Sequence, residues 1–332
     1  MSVNNEPLID TFGRKVEYLR MSVTDRCDFR CVYCMSEDPV FLKREQVLTL
    51  EEMAAIGKAF SEMGVSKIRL TGGEPLVRSD CTQLVEQLGR LPGITDLAMT
   101  TNGSRLAKYA QQLKDAGLKR LNISLDTLKP ELFTELTRTG KLERVLASID
   151  AARDVGFERI KLNAVILKGQ NDNEVVDLVN FCRDREIDIS FIEEMPLGHA
   201  AGRSEDRFCS SDEVQELIEA HYPLTESLSK TAGPSRYFQM ADSPIRIGFI
   251  SPHSHNFCSE CNRVRLTVEG RLLLCLGNEN SVDLKAELRN HPGDIEHLKQ
   301  VIRAAVMRKP EQHIFSHNAD VQILRFMSHT GG

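Results

Sequence analysis

Long apolar runs are scarce in this sequence. The longest is five residues, Leu272 to Leu276, far short of the ~20 that a membrane-spanning helix needs, so no transmembrane helix is expected. The N-terminal Met1-Ser2-Val3-Asn4-Asn5-Glu6-Pro7 lacks both the basic start and the apolar centre of a secretory leader, and a cytoplasmic location is the expectation. A basic excess is missing too. With 42 Lys and Arg against 48 Asp and Glu, the formal net charge is −6, a poor match for sequence-independent nucleic-acid binding, which needs a net basic surface. Tryptophan is absent, and we find no low-complexity segment. What is present is ordinary for a folded chain: 41% hydrophobic and 27% charged over 332 residues. That length suits a soluble domain with an appendage, or two small domains.

Cysteine is the unusual component. Nine cysteines in a reducing compartment do not argue for structural disulfides. Their placement is informative: Cys27, Cys31 and Cys34 form one triplet, Cys258, Cys261 and Cys275 another, and Cys81, Cys182 and Cys209 are scattered. The scattered three read as small buried hydrophobes. Short cysteine spacings in an intracellular chain mark metal or redox sites. Three thiolates leave one position of a tetrahedral zinc or a four-iron cluster without a protein cysteine, and an open position invites a ligand.

Between Leu19 and Glu193 the sequence alternates between short β-rich runs and amphipathic helical stretches. Strands are expected at 19–23, 67–70, 96–100, 120–125, 160–166 and 187–193, and helices at 50–63, 80–88, 105–116, 142–155 and 174–185. Thr49 with Glu52 forms a capping box, and Gly117 and Gly156 stop two helices. Strict alternation predicts a parallel sheet, as an α/β six-unit partial barrel or, alternatively, an open doubly wound sheet. In both, ligands gather at the C-terminal strand ends. Those ends carry Thr24-Asp25-Arg26 with the first triplet, Thr71-Gly72-Gly73-Glu74-Pro75, Thr100-Thr101-Asn102-Gly103, Ser124-Leu125-Asp126 and Glu193-Glu194-Met195-Pro196. A polar connector follows with one helix at 211–221. A tail then offers strands at 237–240, 245–250 and 264–268 and helices at 284–289 and 294–307, and places the second triplet on a small separate module.

Cys27-Asp28-Phe29-Arg30-Cys31-Val32-Tyr33-Cys34 has C-x3-C-x2-C spacing after a first strand, and Gly72-Gly73-Glu74-Pro75 follows the second. This combination resembles the radical S-adenosylmethionine (SAM) superfamily. The resemblance implies a [4Fe–4S] cluster on the three thiolates, with SAM chelating the fourth iron. The second triplet, C-x2-C-x13-C, would by spacing alone suit a Cys₃His zinc site with His253 or His255. Beside it, however, Arg263 and Arg265 lie two apart on a predicted strand and so share a face, which serves an anionic ligand and not a zinc knuckle.

Together these features resemble the GTP 3′,8-cyclases of molybdenum cofactor biosynthesis. The resemblance covers nearly the whole chain, from Arg20 through both triplets to Gly331-Gly332. It implies an incomplete (β/α)6 TIM-like barrel over 1–196, a connector over 197–244, and a module over 245–332 with a second [4Fe–4S] cluster. It also implies SAM contacts at Tyr33, Gly73, Ser124 and Met195, and GTP contacts at Arg20, Arg69, Thr100, Lys161, Arg263, Val264 and Arg265. Catalytic roles fall to Arg263, Arg265, Gly331 and Gly332. The implied reaction is SAM-dependent radical cyclisation of GTP. An external electron donor, a homodimer and a functional link to cyclic pyranopterin monophosphate synthase are expected, with no nucleic-acid or membrane partner. Asp28 and Ser36 depart from the family's frequent asparagine and proline, neither at a ligand position. Rival readings are a peptide-modifying radical SAM enzyme and a zinc-stabilised binding protein.

Overall fold

The computed structural model describes residues 6–195, 207–227, 233–255, 257–277, 280–312 and 330. Six parallel strands follow one another in space as in sequence: β1 Tyr18–Ser22, β2 Lys67–Thr71, β3 Asp96–Thr101, β4 Arg120–Ser124, β5 Arg159–Ile166 and β6 Asp188–Glu193. The helices between them are α1 Leu50–Glu62, α2 Cys81–Gly89, α3 Leu106–Asp115, α4 Pro130–Thr137, α5 Leu142–Val155 and α6 Val175–Asp184. An unreversed strand order is that of a barrel and excludes the doubly wound alternative, whose order turns back at a switch point. Right-handed crossovers in one direction put the helices on one face of the sheet.

The strands obey a strict inside–outside division. Leu19, Met21, Ile68, Leu70, Leu97, Met99, Leu121, Ile123, Leu162 and Phe191 are fully buried and belong to the apolar core. The residues between them point to the opposite face and are mostly polar or charged, as at Arg20, Arg69 and Asn122, with Ala98 an apolar exception. Local signals set the helix limits: Glu52 N donates to Thr49 Oγ1 (3.2 Å) and Thr49 N to Glu52 Oε2 (2.8 Å), and α5 ends at Gly156 with φ +76°.

Strands from the C-terminal part of the chain extend both edges. β10 Arg263–Leu266 adds to β1 in parallel, while β9 Arg246–Ile250 adds to β6 in parallel. Outside them lie antiparallel β11 Arg271–Leu273 and β12 Ser281–Asp283 on one side, β8 Arg236–Met240 and β7 Leu224–Glu226 on the other. The second triplet therefore flanks strands continuous with the main sheet. Among the described residues β12 and β7 remain the sheet's free edges. The connector helix is α7 Ser211–Glu219, and α8 Leu284–Asn290 and α9 Ile295–Val306 follow, with α9 packed on α1. Helix α4 and the short β7, β11 and β12 are additions to the sequence expectation. No helix among the described residues is long and apolar enough to cross a membrane.

Candidate active site

One cavity of about 310 Å³ occupies the polar face of the sheet. All six triplet cysteines line it, as do Tyr33, Gly73, Ser124 and Met195 and, from the second group, Arg20, Arg69, Thr100, Lys161, Arg263, Val264 and Arg265. Gly331 and Gly332 lie outside the described residues. Cys81, Cys182 and Cys209 are buried and do not line the cavity, as packing residues should be.

Strand register fixes where the two triplets stand. Cys27 follows the C-terminal end of β1. Cys261 precedes β10, whose Arg263 pairs with Tyr18 at the N-terminal end of β1. Antiparallel β11 delivers Cys275 to that same end. The triplets therefore sit at opposite ends of β1, whose four residue steps of about 3.3 Å span roughly 13 Å.

Between them the cavity wall is cationic. Arg265, Arg20 and Arg69 stand side by side on β10, β1 and β2, and Thr100, Asn122 and Lys161 align across β3, β4 and β5. Below is a floor of paired charges made by the first residues of six strands. Asp96 accepts from Lys67 Nζ (3.0 Å) and Arg120 Nε (2.8 Å), while Asp188 accepts from Arg246 Nη2 (2.7 Å) with Arg159 Nη1 at 3.7 Å. The upper layer is less satisfied. Arg20 Nε, Arg69 Nε, Thr100 Oγ1 and Tyr18 Oη are buried with no hydrogen-bond partner among the described residues, and Lys161 Nζ meets only hydroxyls, Ser190 Oγ at 2.9 Å and Tyr237 Oη at 3.2 Å. Burial, followed by the charges of Arg20 and Arg263, pushes the Arg265 guanidinium well below its usual range. Such groups persist where an anionic ligand supplies the missing acceptors.

The first triplet's loop is held from three sides. Arg138, with φ +60°, ends α4 abruptly, and the helix's last free carbonyls accept from the loop: Thr137 O from Arg30 N (2.9 Å) and Leu136 O from Val32 N (3.0 Å). Asp28 accepts from Asn102 Nδ2, Ser104 Oγ and Arg105 Nε at 2.9, 2.8 and 3.1 Å. Burial raises its pKa, but these donors outweigh burial and hold the carboxyl below its usual range. Tyr33 Oη donates to Asp126 Oδ2 at 2.6 Å, while burial lifts Asp126 to about 6.

The glycine turn has a different reason from ligand approach alone. A Cβ at Gly73 would meet Arg26 O at 2.4 Å, and one at Gly72, whose φ is +150°, would meet Thr24 O at 2.4 Å. Gly73 N and Glu74 N donate to Thr24 O and Arg26 O, both at 2.8 Å. Two strand-end backbones thus lie against each other with no room for a side chain. Glu74 completes the brace by accepting from Thr101 Oγ1, Asn102 N and Leu76 N at 2.8, 2.7 and 3.0 Å.

Each triplet offers three thiols and no fourth protein sulfur, the donor set that a four-iron cluster with one open iron would take. Three sulfurs on one tetrahedral zinc at about 2.3 Å lie about 3.8 Å apart. Among the described residues neither triplet brings all three of its sulfurs within 4.8 Å of one another, and only Glu287, His291 and His297 form such a group. Sulfurs on separate irons of a cluster stand farther apart. His255 is engaged by Asp212 at 2.8 Å, and neither it nor His253 lines the cavity. Burial, chiefly, raises the thiols of Cys27, Cys31 and Cys275. Cys261 is also pushed up by burial, but Arg263 and Lys309 beside it bring it below its usual value.

Sequence reasoning missed Tyr18, Lys67, Arg120, Arg159 and Arg246 on the cavity wall and Lys309 beside Cys261, while Asp126 was named only as part of a strand-end motif. Charged residues alternating with apolar ones in Lys67-Ile68-Arg69 and Arg159-Ile160-Lys161 could have revealed the strand members. Pro130 with Phe133 and Leu136 could have revealed α4.

Comparisons with known proteins agree with this geometry. Residues 21–182 match the radical SAM superfamily, and 187–315 match Molybdenum Cofactor Synthesis C. The chain is 60% identical over 337 residues to a GTP 3′,8-cyclase of Pseudomonas entomophila, covering 100% of both. It is 57% identical over 331 residues to GTP 3′,8-cyclase 2 of Pseudomonas aeruginosa, covering 99% and 100%. Streptococcus suis SuiB, in a crystal structure bound to S-adenosylmethionine, superposes with TM-score 0.62 at 16% identity, covering 87% of this chain and 68% of that one. This last likeness concerns the fold.

Proposed function

The chain belongs to the GTP 3′,8-cyclase family of radical SAM enzymes, and we propose on that basis that it converts GTP to (8S)-3′,8-cyclo-7,8-dihydroguanosine 5′-triphosphate. This is the first step of molybdenum cofactor biosynthesis. The observation that carries the reading is a single cavity with cysteine triplets at opposite ends and unsatisfied cations between them. Cys27, Cys31 and Cys34 would hold one [4Fe–4S] cluster and Cys258, Cys261 and Cys275 a second. When bound and reduced, the first cluster supplies the electron that releases a 5′-deoxyadenosyl radical from SAM.

The chain's own residues bind, orient and shield. Tyr33, Gly73, Ser124 and Met195 hold SAM at the C-terminal mouth. Arg20, Arg69, Thr100 and Lys161 offer donors to the triphosphate, and Arg263, Val264 and Arg265 orient the nucleotide beside the second triplet. Charge-assisted bonds from planar guanidiniums give direction as well as strength. Fixing the 3′ hydrogen of GTP near the SAM side, away from water, is the protein's main contribution to a radical reaction. Arg263 and Arg265 act in the closing steps together with Gly331 and Gly332. Replacing both glycines by bulkier residues should abolish cyclisation with both clusters retained, which anaerobic product assay and iron count together check.

The enzyme takes electrons from an external donor, acts as a cytoplasmic homodimer, and passes its product to cyclic pyranopterin monophosphate synthase. Anaerobic turnover with SAM, dithionite and each nucleoside triphosphate in turn tests the central claim. 5′-Deoxyadenosine together with an isomer of GTP is expected with GTP, and formation of neither would reject it.

A further inference from the structure

Lys309 follows α9 and is only 2% exposed. Its Nζ donates to Cys261 Sγ at 3.3 Å and to Leu274 O, the carbonyl just before Cys275, at 2.9 Å. Its hydrogen-bond partners among the described residues are thus a sulfur and a carbonyl, with no carboxylate. A buried ammonium is costly unless it faces negative charge, and a metal-bound thiolate at Cys261 would supply that charge.

Arg14 places the lysine. Its Nη1 donates to Cys258 O at 2.8 Å and to Glu311 O at 2.6 Å, its Nη2 donates to Pro310 O at 2.6 Å, and its Nε is paired with Asp10 at 2.6 Å. The segment carrying Lys309 is thereby tied to Cys258 on one side, while Lys309 itself reaches Cys261 and the backbone just before Cys275. All three ligand segments converge on this basic pair.

Resting on the reading that the second triplet holds a four-iron cluster, we propose that Lys309 is a positioning residue for it. Its ammonium clamps the Cys261 and Cys275 segments and raises the reduction potential of the cluster. One-electron reduction by dithionite adds negative charge to the cluster, and an N–H donated to a ligand sulfur from a fixed cation stabilises the reduced form. A lysine that only filled space would leave the potential unchanged.

The test uses the full-length chain with Cys27, Cys31 and Cys34 replaced by alanine, so that any reduced-cluster signal belongs to the second triplet. Electron paramagnetic resonance monitored during redox titration should show a more negative midpoint in Lys309→Met and a return toward the parent value in Lys309→Arg. Loss of the cluster from Lys309→Met but not from Lys309→Arg also supports the proposal. An unchanged midpoint, or equal loss from both variants, overturns it. A readout without substitution at Lys309 comes from incorporating 15N-lysine: a 15N coupling to the reduced cluster is expected, and its absence overturns the proposal. Four irons instead of eight in the native chain would reject the two-cluster reading itself, a distinct outcome.

Discussion

Tyr18 lies buried with no hydrogen-bond partner for its hydroxyl among the described residues, with Lys67 Nζ 4.9 Å and Arg69 Cζ 5.7 Å from its ring centre. Burial raises its pKa, but Arg69, Arg20, Lys67 and Arg263 outweigh burial and draw it from 10.0 to about 7. In substrate-free protein one of the five tyrosines should therefore titrate near neutrality, as a chemical-shift change in 13Cζ-tyrosine spectra that Tyr18→Phe removes. The sign for stability follows from linkage. An acid with a depressed folded-state pKa contributes stability that is complete above its unfolded value near 10 and is lost as pH falls through about 7. The difference in denaturation midpoint between the native protein and Tyr18→Phe should shrink over that window. Arg69 makes the companion case. Its Nε, without a partner among the described residues, would donate to the triphosphate, and at ~1.5–3 kcal/mol for a hydrogen bond to a charged group, Arg69→Met should weaken GTP binding roughly 10- to 150-fold. Calorimetry with GTP checks this, and unchanged affinity would remove Arg69 from the site.

At the scale of elements, the cysteine loop, the glycine turn and the end of α4 form one unit. The α/β alternation and the capping box at Thr49 were legible because each is a local pattern. The brace between turn and loop was not, because it joins Gly73 to Arg26 across two strands. Gly73→Ala would force a Cβ to 2.4 Å from Arg26 O, and overpacking of this kind costs about 1–3 kcal/mol. We expect a lowered melting temperature and loss of iron from the first triplet, with the second triplet's iron retained. Full iron content after this change would show that the two backbones can separate without harm to the site.

For the whole molecule, the second triplet's strand β10 is hydrogen-bonded to β1, so the cavity is shared by both ends of the chain. Two four-iron clusters predict about eight irons and eight acid-labile sulfides per chain, falling to about four of each when Cys27, Cys31 and Cys34 are replaced. Anaerobic metal and sulfide analysis reads this directly, and tightly bound zinc would contradict it. The net charge of −6 hides the arginines and lysines that line the cavity, since charge totals ignore which face of a strand a residue takes.

The sequence by itself determined the cysteine sets, the βα alternation and the strand-end motifs, because spacing, periodicity and turn chemistry act over a few residues. Only the tertiary structure decided that β10 closes against β1 and that the paired floor carries carboxylates which the upper layer lacks. It alone set Lys309 against Cys261. These depend on register and on contacts between residues as far apart as Arg14 and Glu311, where folding brings side chains together that no local pattern links.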